Sequence, residues 1–173
     1  MKKLLVVVDY QKDFIDGMLG FKGAELIGPH IVKLIKEFED NGDDVVFTKD
    51  THYSDYISTV EGENLPIIHC VKDSNGWGFA EEIEPLAQGK PVFEKQAFGS
   101  DLLGEFIKGK DYEEIYLCGL VSDICVFSNA IIAKAFALPT TKIKVVKNAT
   151  SSGDLLTQEK SFEMLKHLHI EVI

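Results

Sequence analysis

Residues 114–126 constrain this chain more than any other stretch: Glu114-Ile115-Tyr116-Leu117-Cys118-Gly119-Leu120-Val121-Ser122-Asp123-Ile124-Cys125-Val126. They open as a run of β-branched, aromatic and aliphatic residues, the pattern of a buried strand. Gly119 punctuates the run, and Ser122 and Asp123 are residue types that cap helix N-termini. The apolar residues that follow predict a long helix over 124–135. Cys125 then falls in the first turn of a helix leaving the C-terminal end of a strand. Open backbone N–H groups and the positive end of the helix dipole favour a thiolate there. A cysteine so placed is a candidate nucleophile, and its activating partners are expected at the ends of other strands.

The rest of the chain alternates strand and helix patterns. A near-continuous Leu/Val run over 3–9 predicts a first strand covered on both faces. Ile31, Leu34, Ile35 and Phe38 recur at helical spacing over 29–39, and Asn41-Gly42 ends that element. Val45 to Thr48 is a second strand, delivering Lys49, Asp50, Thr51 and His52 at its C-terminal end. A long polar, glycine-rich excursion over 53–77 is of the kind that carries function in a compact domain. Helices are expected over 79–86, 101–108 and 157–167, and further strands at 92–93, 143–146 and 170–173. Right-handed crossovers then give one domain over 1–173, an α/β fold with a mostly parallel sheet between two helical layers. Ligands of such sheets bind beyond the carboxyl ends of the strands. Asp9, Asp50, Lys95 and Cys125 all stand on that rim.

Composition narrows the partners. With 173 residues and 45% hydrophobic content the chain can build a substantial core. No apolar run approaches a membrane span, and the N-terminal Leu/Val run is closed by Asp9 with no small-residue cleavage site, so a cytoplasmic protein without membrane contact is expected. Three cysteines fit reduced thiols. A formal net charge of −10 argues against nucleic acid. Every basic residue is a lysine, and the missing guanidinium fork favours a small neutral substrate over an anionic one. The apolar stretch 124–138 would serve a subunit contact as readily as core burial, and a homo-oligomer is expected.

Two constellations can carry chemistry. Asp9 and Cys125 can pair as base and nucleophile with Lys95 as the cation that holds the sulfur, since a nearby ammonium stabilises a thiolate and a carboxylate can take and return the proton. The plainer reading makes Asp9 a turn residue and Lys95 a solvated surface lysine. Cys118 reads as a buried, inert thiol; Cys70, beside a histidine, is either buried or a weak metal competitor. Asp50-Thr51-His52 with His69 is the second set, and Glu61 or Glu63 in the intervening loop can add a ligand. Two imidazoles and a carboxylate suit zinc or ferrous iron, although spacing alone favours a structural role. His30, His167 and His169 read as structural or solvated.

Taken together, Asp9-Tyr10-Gln11-Lys12-Asp13-Phe14, the lysine of Phe93-Glu94-Lys95, and Gly119 to Val126 resemble the isochorismatase-like cysteine hydrolases, almost end to end. Asp50-x-His52 and His69-Cys70-Val71 further resemble the metal site of the nicotinamidase branch, which converts nicotinamide to nicotinic acid and ammonia. The resemblance implies a six-stranded sheet in the order 3-2-1-4-5-6, a triad of Asp9, Lys95 and Cys125, a cis peptide between Leu120 and Val121, and an oxyanion hole from the N–H groups of Val121 and Cys125. It also implies a divalent metal on Asp50, His52 and His69, with Glu61 as a fourth ligand; zinc is the expected ion, with iron and manganese tolerating the same set. Phe14 and Phe98 are candidate walls for a flat ring. Nicotinamidases commonly carry a tryptophan three residues before the last metal-binding histidine; Pro66 stands there, so Trp77 or a neighbouring aromatic is the expected substitute. Competing readings are a cysteine hydrolase of another small amide, an isochorismatase-type hydrolase, and a flavodoxin-like binding module.

Overall fold

The computed structural model describes residues 2–173. Six strands, β1 (Lys2–Val8), β2 (Asp44–Asp50), β3 (Val92–Lys95), β4 (Tyr112–Leu120), β5 (Lys142–Ser151) and β6 (Glu171–Val172), form one sheet in the order β3-β2-β1-β4-β5-β6. All five pairings are parallel. The helices are α1 (Lys12–Ile15), α2 (Gly28–Asp40), α3 (Val60–Asn64), α4 (Glu84–Ala87), α5 (Asp101–Ile107), α6 (Cys125–Phe136) and α7 (Leu155–His167). No helix among the described residues is long and apolar enough to cross a membrane.

Side-chain alternation explains the two layers. In β1, Leu5 and Val7 join the core under α2 and α4, while Leu4, Val6 and Val8 join the core under α5, α6 and α7. The same parity sorts the end of β2: Val45 and Phe47 belong to the first core and Val46 to the second. Thr48 and Asp50 therefore face the side on which α6 starts, and Lys49 faces the other. Helix α6 turns Val126, Ala130 and Ala133 into the core, which accounts for much of its apolar character.

Three local expectations are corrected. The helix expected over 79–86 is only Glu84–Ala87, because Phe79 pairs with Gln11 as an isolated antiparallel bridge and gives its N–H to Glu84 Oε2. The excursion over 53–77 holds a 3₁₀ turn at Tyr56–Ser58 and the helix α3, capped by Thr59. Neither Ser122 nor Asp123 caps α6; Ile124 occupies the cap position with no side-chain bond, and Ser122 Oγ donates instead to Gln158 Oε1 at 2.7 Å. His30, His167 and His169 are exposed.

Two backbone features bring the strand ends together. Gly119 has φ +109°, and a Cβ there would lie 1.9 Å from the Val8 carbonyl oxygen. Only glycine fits this approach of β4 to β1. The Leu120–Val121 peptide is cis.

At the opposite end of the sheet, Glu114 of β4 joins three strands. It accepts from Tyr116 Oη at 2.7 Å, is bonded by Lys144 Nζ, and lies 3.0 Å from Lys3 Nζ. These partners, Lys144 foremost, pull its pKa down to about 2. A depressed carboxylate contributes stability above its unfolded pKa of about 4.3 and loses it as pH falls through the folded value. We expect Glu114→Gln to cost about 1–2 kcal/mol at pH 7 after allowance for solvent screening, with the gap from wild type closing between about pH 4 and pH 2. Denaturant unfolding across that range checks it.

Candidate active site

The site assembles where β1, β2 and β3 end and α6 begins. Asp9, the first residue after β1, is fully buried at φ 45°. Its N–H donates to the Thr48 carbonyl at 3.2 Å, and Thr48 Oγ1 donates to its Oδ1 at 2.6 Å. Lys95, the last residue of β3, lies opposite, its side chain 1% exposed. Lys95 Nζ stands 2.6 Å from Asp9 Oδ2, close enough for an ion pair although not aligned as a hydrogen bond. The same ammonium donates to Cys125 Sγ at 3.5 Å and to Asp50 Oδ1 at 3.5 Å. The solvated-lysine reading is therefore wrong.

Electrostatics correct the expectation of a resting thiolate. Burial pushes the Cys125 thiol well above its ordinary pKa; Lys95 opposes this, but Asp9 and Asp50 add to it. Burial also raises Asp9, against the pull of Lys95. Desolvation works against the Lys95 ammonium, yet Asp9, Cys125 and Asp50 outweigh it and its pKa is raised. The pocket thus favours the charged lysine and disfavours a free thiolate. Cys70 and Cys118 are buried and pushed up by burial in the same way.

Backbone donors remain open beside the sulfur. The Ile124 and Val126 N–H groups both donate to the Val121 carbonyl, at 3.2 and 3.1 Å. Among the described residues, the N–H groups of Val121 and Cys125 have no protein acceptor. Asn129, one turn along α6, donates to the Cys125 and Phe98 carbonyls at 2.8 and 3.1 Å.

The second constellation adjoins the first through Asp50. Ligand atoms of Asp50, His52, Glu61 and His69 lie within 4.8 Å of one another. His52 Nε2 and His69 Nε2 are 3.0 and 3.4 Å from Asp50 Oδ2, and each is 3.6 Å from Glu61 Oε1. Four ligands at about 2.05 Å from a tetrahedral ion stand about 3.3 Å apart, so these separations fit one. His69 Nδ1 bonds to the Ile67 carbonyl at 2.7 Å, which turns Nε2 inward as a ligating imidazole requires. The chemistry of the four donors suits a divalent metal. Burial lifts the Glu61 carboxyl, helped by Asp50; the two histidines and Lys95 overcome burial at Asp50 and hold it low. Glu63 is exposed and outside the group.

A cavity of about 60 Å³ joins the two constellations, lined by Cys125, Asp50, Glu61 and His69 with Phe14, Phe98, Leu19, Leu65, Val121 and Ile124. It continues into an open apolar groove past Phe98, Leu65 and Ile124. Trp77 is not among the lining residues. Its ring lies under Lys49 Nζ at 3.7 Å, and its indole N–H donates to Thr51 Oγ1. Tyr56 packs against both histidines, with centroids 4.6 Å from His52 and 5.1 Å from His69, and Phe14 lies 5.7 Å from His69. Sequence reasoning missed Tyr56, Thr48 and Asn129. The last two carry a signal: Thr48 shares strand parity with Asp50, and Asn129 follows Cys125 by four residues on one helical face.

The isochorismatase domain model matches residues 3–173. The chain belongs to the isochorismatase family. A Bacillus subtilis isochorismatase family protein, PncA, is 34% identical over 166 residues, covering 88% of this chain and 87% of its own. The nicotinamidase of Saccharomyces cerevisiae is 26% identical over 216 residues, covering 99% of each. The crystal structure of nicotinamidase/pyrazinamidase PncA from Bacillus subtilis matches with TM-score 0.85 and 28% identity over 99% of both chains.

In this member of the family, Lys95→Met would leave Asp9 and Asp50 buried without their shared cation. Breaking a buried pair costs about 3–5 kcal/mol. Denaturant unfolding of metal-free protein at pH 7 should read a loss of that size; a loss under about 1 kcal/mol would mean that the ammonium is not what balances these carboxylates.

Proposed function

We propose that this chain, a carbon–nitrogen hydrolase of the isochorismatase family, is a metal-dependent cysteine amidase that converts nicotinamide and water to nicotinic acid and ammonia through a Cys125 thioester. The observation that carries the reading is one cavity lined by Cys125 together with Asp50, Glu61 and His69. A flat ring bearing one amide can meet both at once. The relatives named as nicotinamidases support the substrate, as does a chain with no arginine for an anionic one.

Each residue has a role in the proposed cycle. Asp9 takes the Cys125 proton. Negative charge then passes from the carboxylate to the sulfur beside one ammonium, so the pocket's net charge is unchanged and burial opposes the transfer far less than it opposes a free thiolate. Sulfur bonds to the amide carbon, and the N–H groups of Val121 and Cys125 receive the oxyanion, each donor being worth about 3 kcal/mol. Protonated Asp9 passes its proton to the leaving nitrogen as the C–N bond breaks, and ammonia departs. Asp9 next takes a proton from water, the hydroxide adds to the thioester carbon, and the C–S bond breaks with that proton returned to sulfur. Lys95 stays protonated throughout. Asp50, His52, His69 and Glu61 would hold the metal, which when bound supplies a Lewis-acid contact for the pyridine nitrogen; zinc suits two imidazoles with carboxylates, and iron and manganese accept the same donors. Phe14 and Phe98 bracket the ring.

Ammonia release from nicotinamide by purified protein tests the reading. Cys125→Ala should fall to the uncatalysed background, and chelation should remove activity that zinc restores. Turnover surviving Cys125→Ala ends the thioester mechanism. Turnover indifferent to chelation ends the role given to the metal. Activity confined to a different small amide keeps the triad and replaces the substrate.

A further inference from the structure

The hexapeptide Asp9-Tyr10-Gln11-Lys12-Asp13-Phe14 has two buried polar members that the proposed chemistry leaves unused, Gln11 and Asp13. Gln11 is fully buried and holds Asp50 at both backbone polar atoms. Its Oε1 accepts the Asp50 N–H at 2.8 Å, and its Nε2 donates to the Asp50 carbonyl at 2.9 Å and the Trp77 carbonyl at 3.0 Å. The side-chain amide thus extends the ladder where β2 would otherwise end with open groups.

Asp13 works on the other half of the metal group. Its Oδ2 accepts the Cys70 N–H at 2.7 Å and its Oδ1 the Met18 N–H at 3.2 Å. Cys70 follows His69 directly and has φ 45°, a conformation that a side-chain-bearing residue keeps only when its surroundings hold it. The Cys70 carbonyl in turn accepts the His52 N–H at 2.9 Å. The backbones that carry Asp50, His52 and His69 are therefore all tied, within one or two hydrogen bonds, to the short turn after β1.

We infer that Gln11 and Asp13 are positioning residues for the metal group: they fix the separations of its donor atoms through the backbone, touching none of the ligand side chains. The inference rests on the reading of Asp50, His52, Glu61 and His69 as a metal centre. Packing alone does not explain the pattern. A core position needs only apolar bulk, whereas Gln11 supplies one acceptor and two donors matched to three backbone groups, and Asp13 supplies two acceptors matched to two N–H groups.

Zinc affinity of the full chain, read by competition with a chromophoric chelator, tests it. Gln11→Glu retains an acceptor for the Asp50 N–H but sets a carboxylate against two carbonyls. Asp13→Asn retains one acceptor and loses the other. Each should weaken zinc about ten- to hundredfold in protein that remains folded by circular dichroism, the range for changes behind metal ligands. Lys12→Ala, in the same turn but bonded only to exposed Asn75, should bind as wild type. Alkylation of Cys118, fully buried in β4, should stay as slow as in wild type; a general loosening of the fold would speed it. Unchanged affinity in the folded variants overturns the inference and spares the metal reading, as does weakened affinity accompanied by fast Cys118 alkylation. Wild-type protein that takes up no zinc overturns both. Should Gln11→Glu not fold, Asp13→Asn decides by the same criterion.

Discussion

Lys95 Nζ sits within 3.5 Å of Asp9 Oδ2, Asp50 Oδ1 and Cys125 Sγ, in a place water scarcely reaches. Taking one cation and two carboxylates out of water costs several kcal/mol per ion. That cost is offset only while the three strands and the first turn of α6 keep this geometry. The end of the sheet is therefore held by electrostatics as well as by apolar packing. Neutral bonds add to it: the Thr48 hydroxyl on Asp9 ties β1 to β2, and Asn129 ties α6 to the segment after β3 through the Phe98 carbonyl and the Ser100 N–H.

Asp50 couples this cation to the second constellation. Its Oδ1 faces Lys95 and its Oδ2 faces His52 and His69. A divalent ion held there would lie one carboxylate away from the ammonium, two cations in a buried space. Asp9, Asp50 and Glu61 supply three formal negative charges around them, enough to balance a divalent ion and a lysine together. In the proposed reaction a proton moves between Asp9 and Cys125 without changing that sum, which is how a thiol raised by burial can still act as a nucleophile.

Much of this was legible in the amino-acid sequence. The Leu/Val run of β1, the helical period of α2 and the strand-glycine-helix pattern around Gly119 each follow from local chemistry, and the sheet order follows from the family those residues resemble. Asp9, Lys95 and Cys125 could be placed on one rim because all three close or follow a strand. Distance and burial could not be read that way. Lys95 is buried rather than solvated because β3 ends inside the site, and the free thiolate is disfavoured because desolvation and two carboxylates work against one ammonium and a helix terminus. Of the aromatics expected near the ring, Trp77 lies off the cavity: its indole finds a partner in Lys49, on the opposite face of β2 from Asp50.

The failed cap of α6 is the more instructive case. Ser122 and Asp123 have the right chemistry to close the helix N-terminus, and a capping bond is worth about 1 kcal/mol. Ser122 instead bonds Gln158 of α7, and Val121 and Cys125, whose N–H groups have no acceptor among the described residues, line the cavity. A sequence that follows its local rules through most of the sheet departs from one beside its candidate nucleophile. Gln11 and Asp13 are the counterpart: side chains that could have been apolar are spent on backbone groups, and the positions so held carry the histidines and the aspartate. Departures of both kinds occur at the same end of the sheet, and there the local rules of helix and strand give way to the geometry of a site.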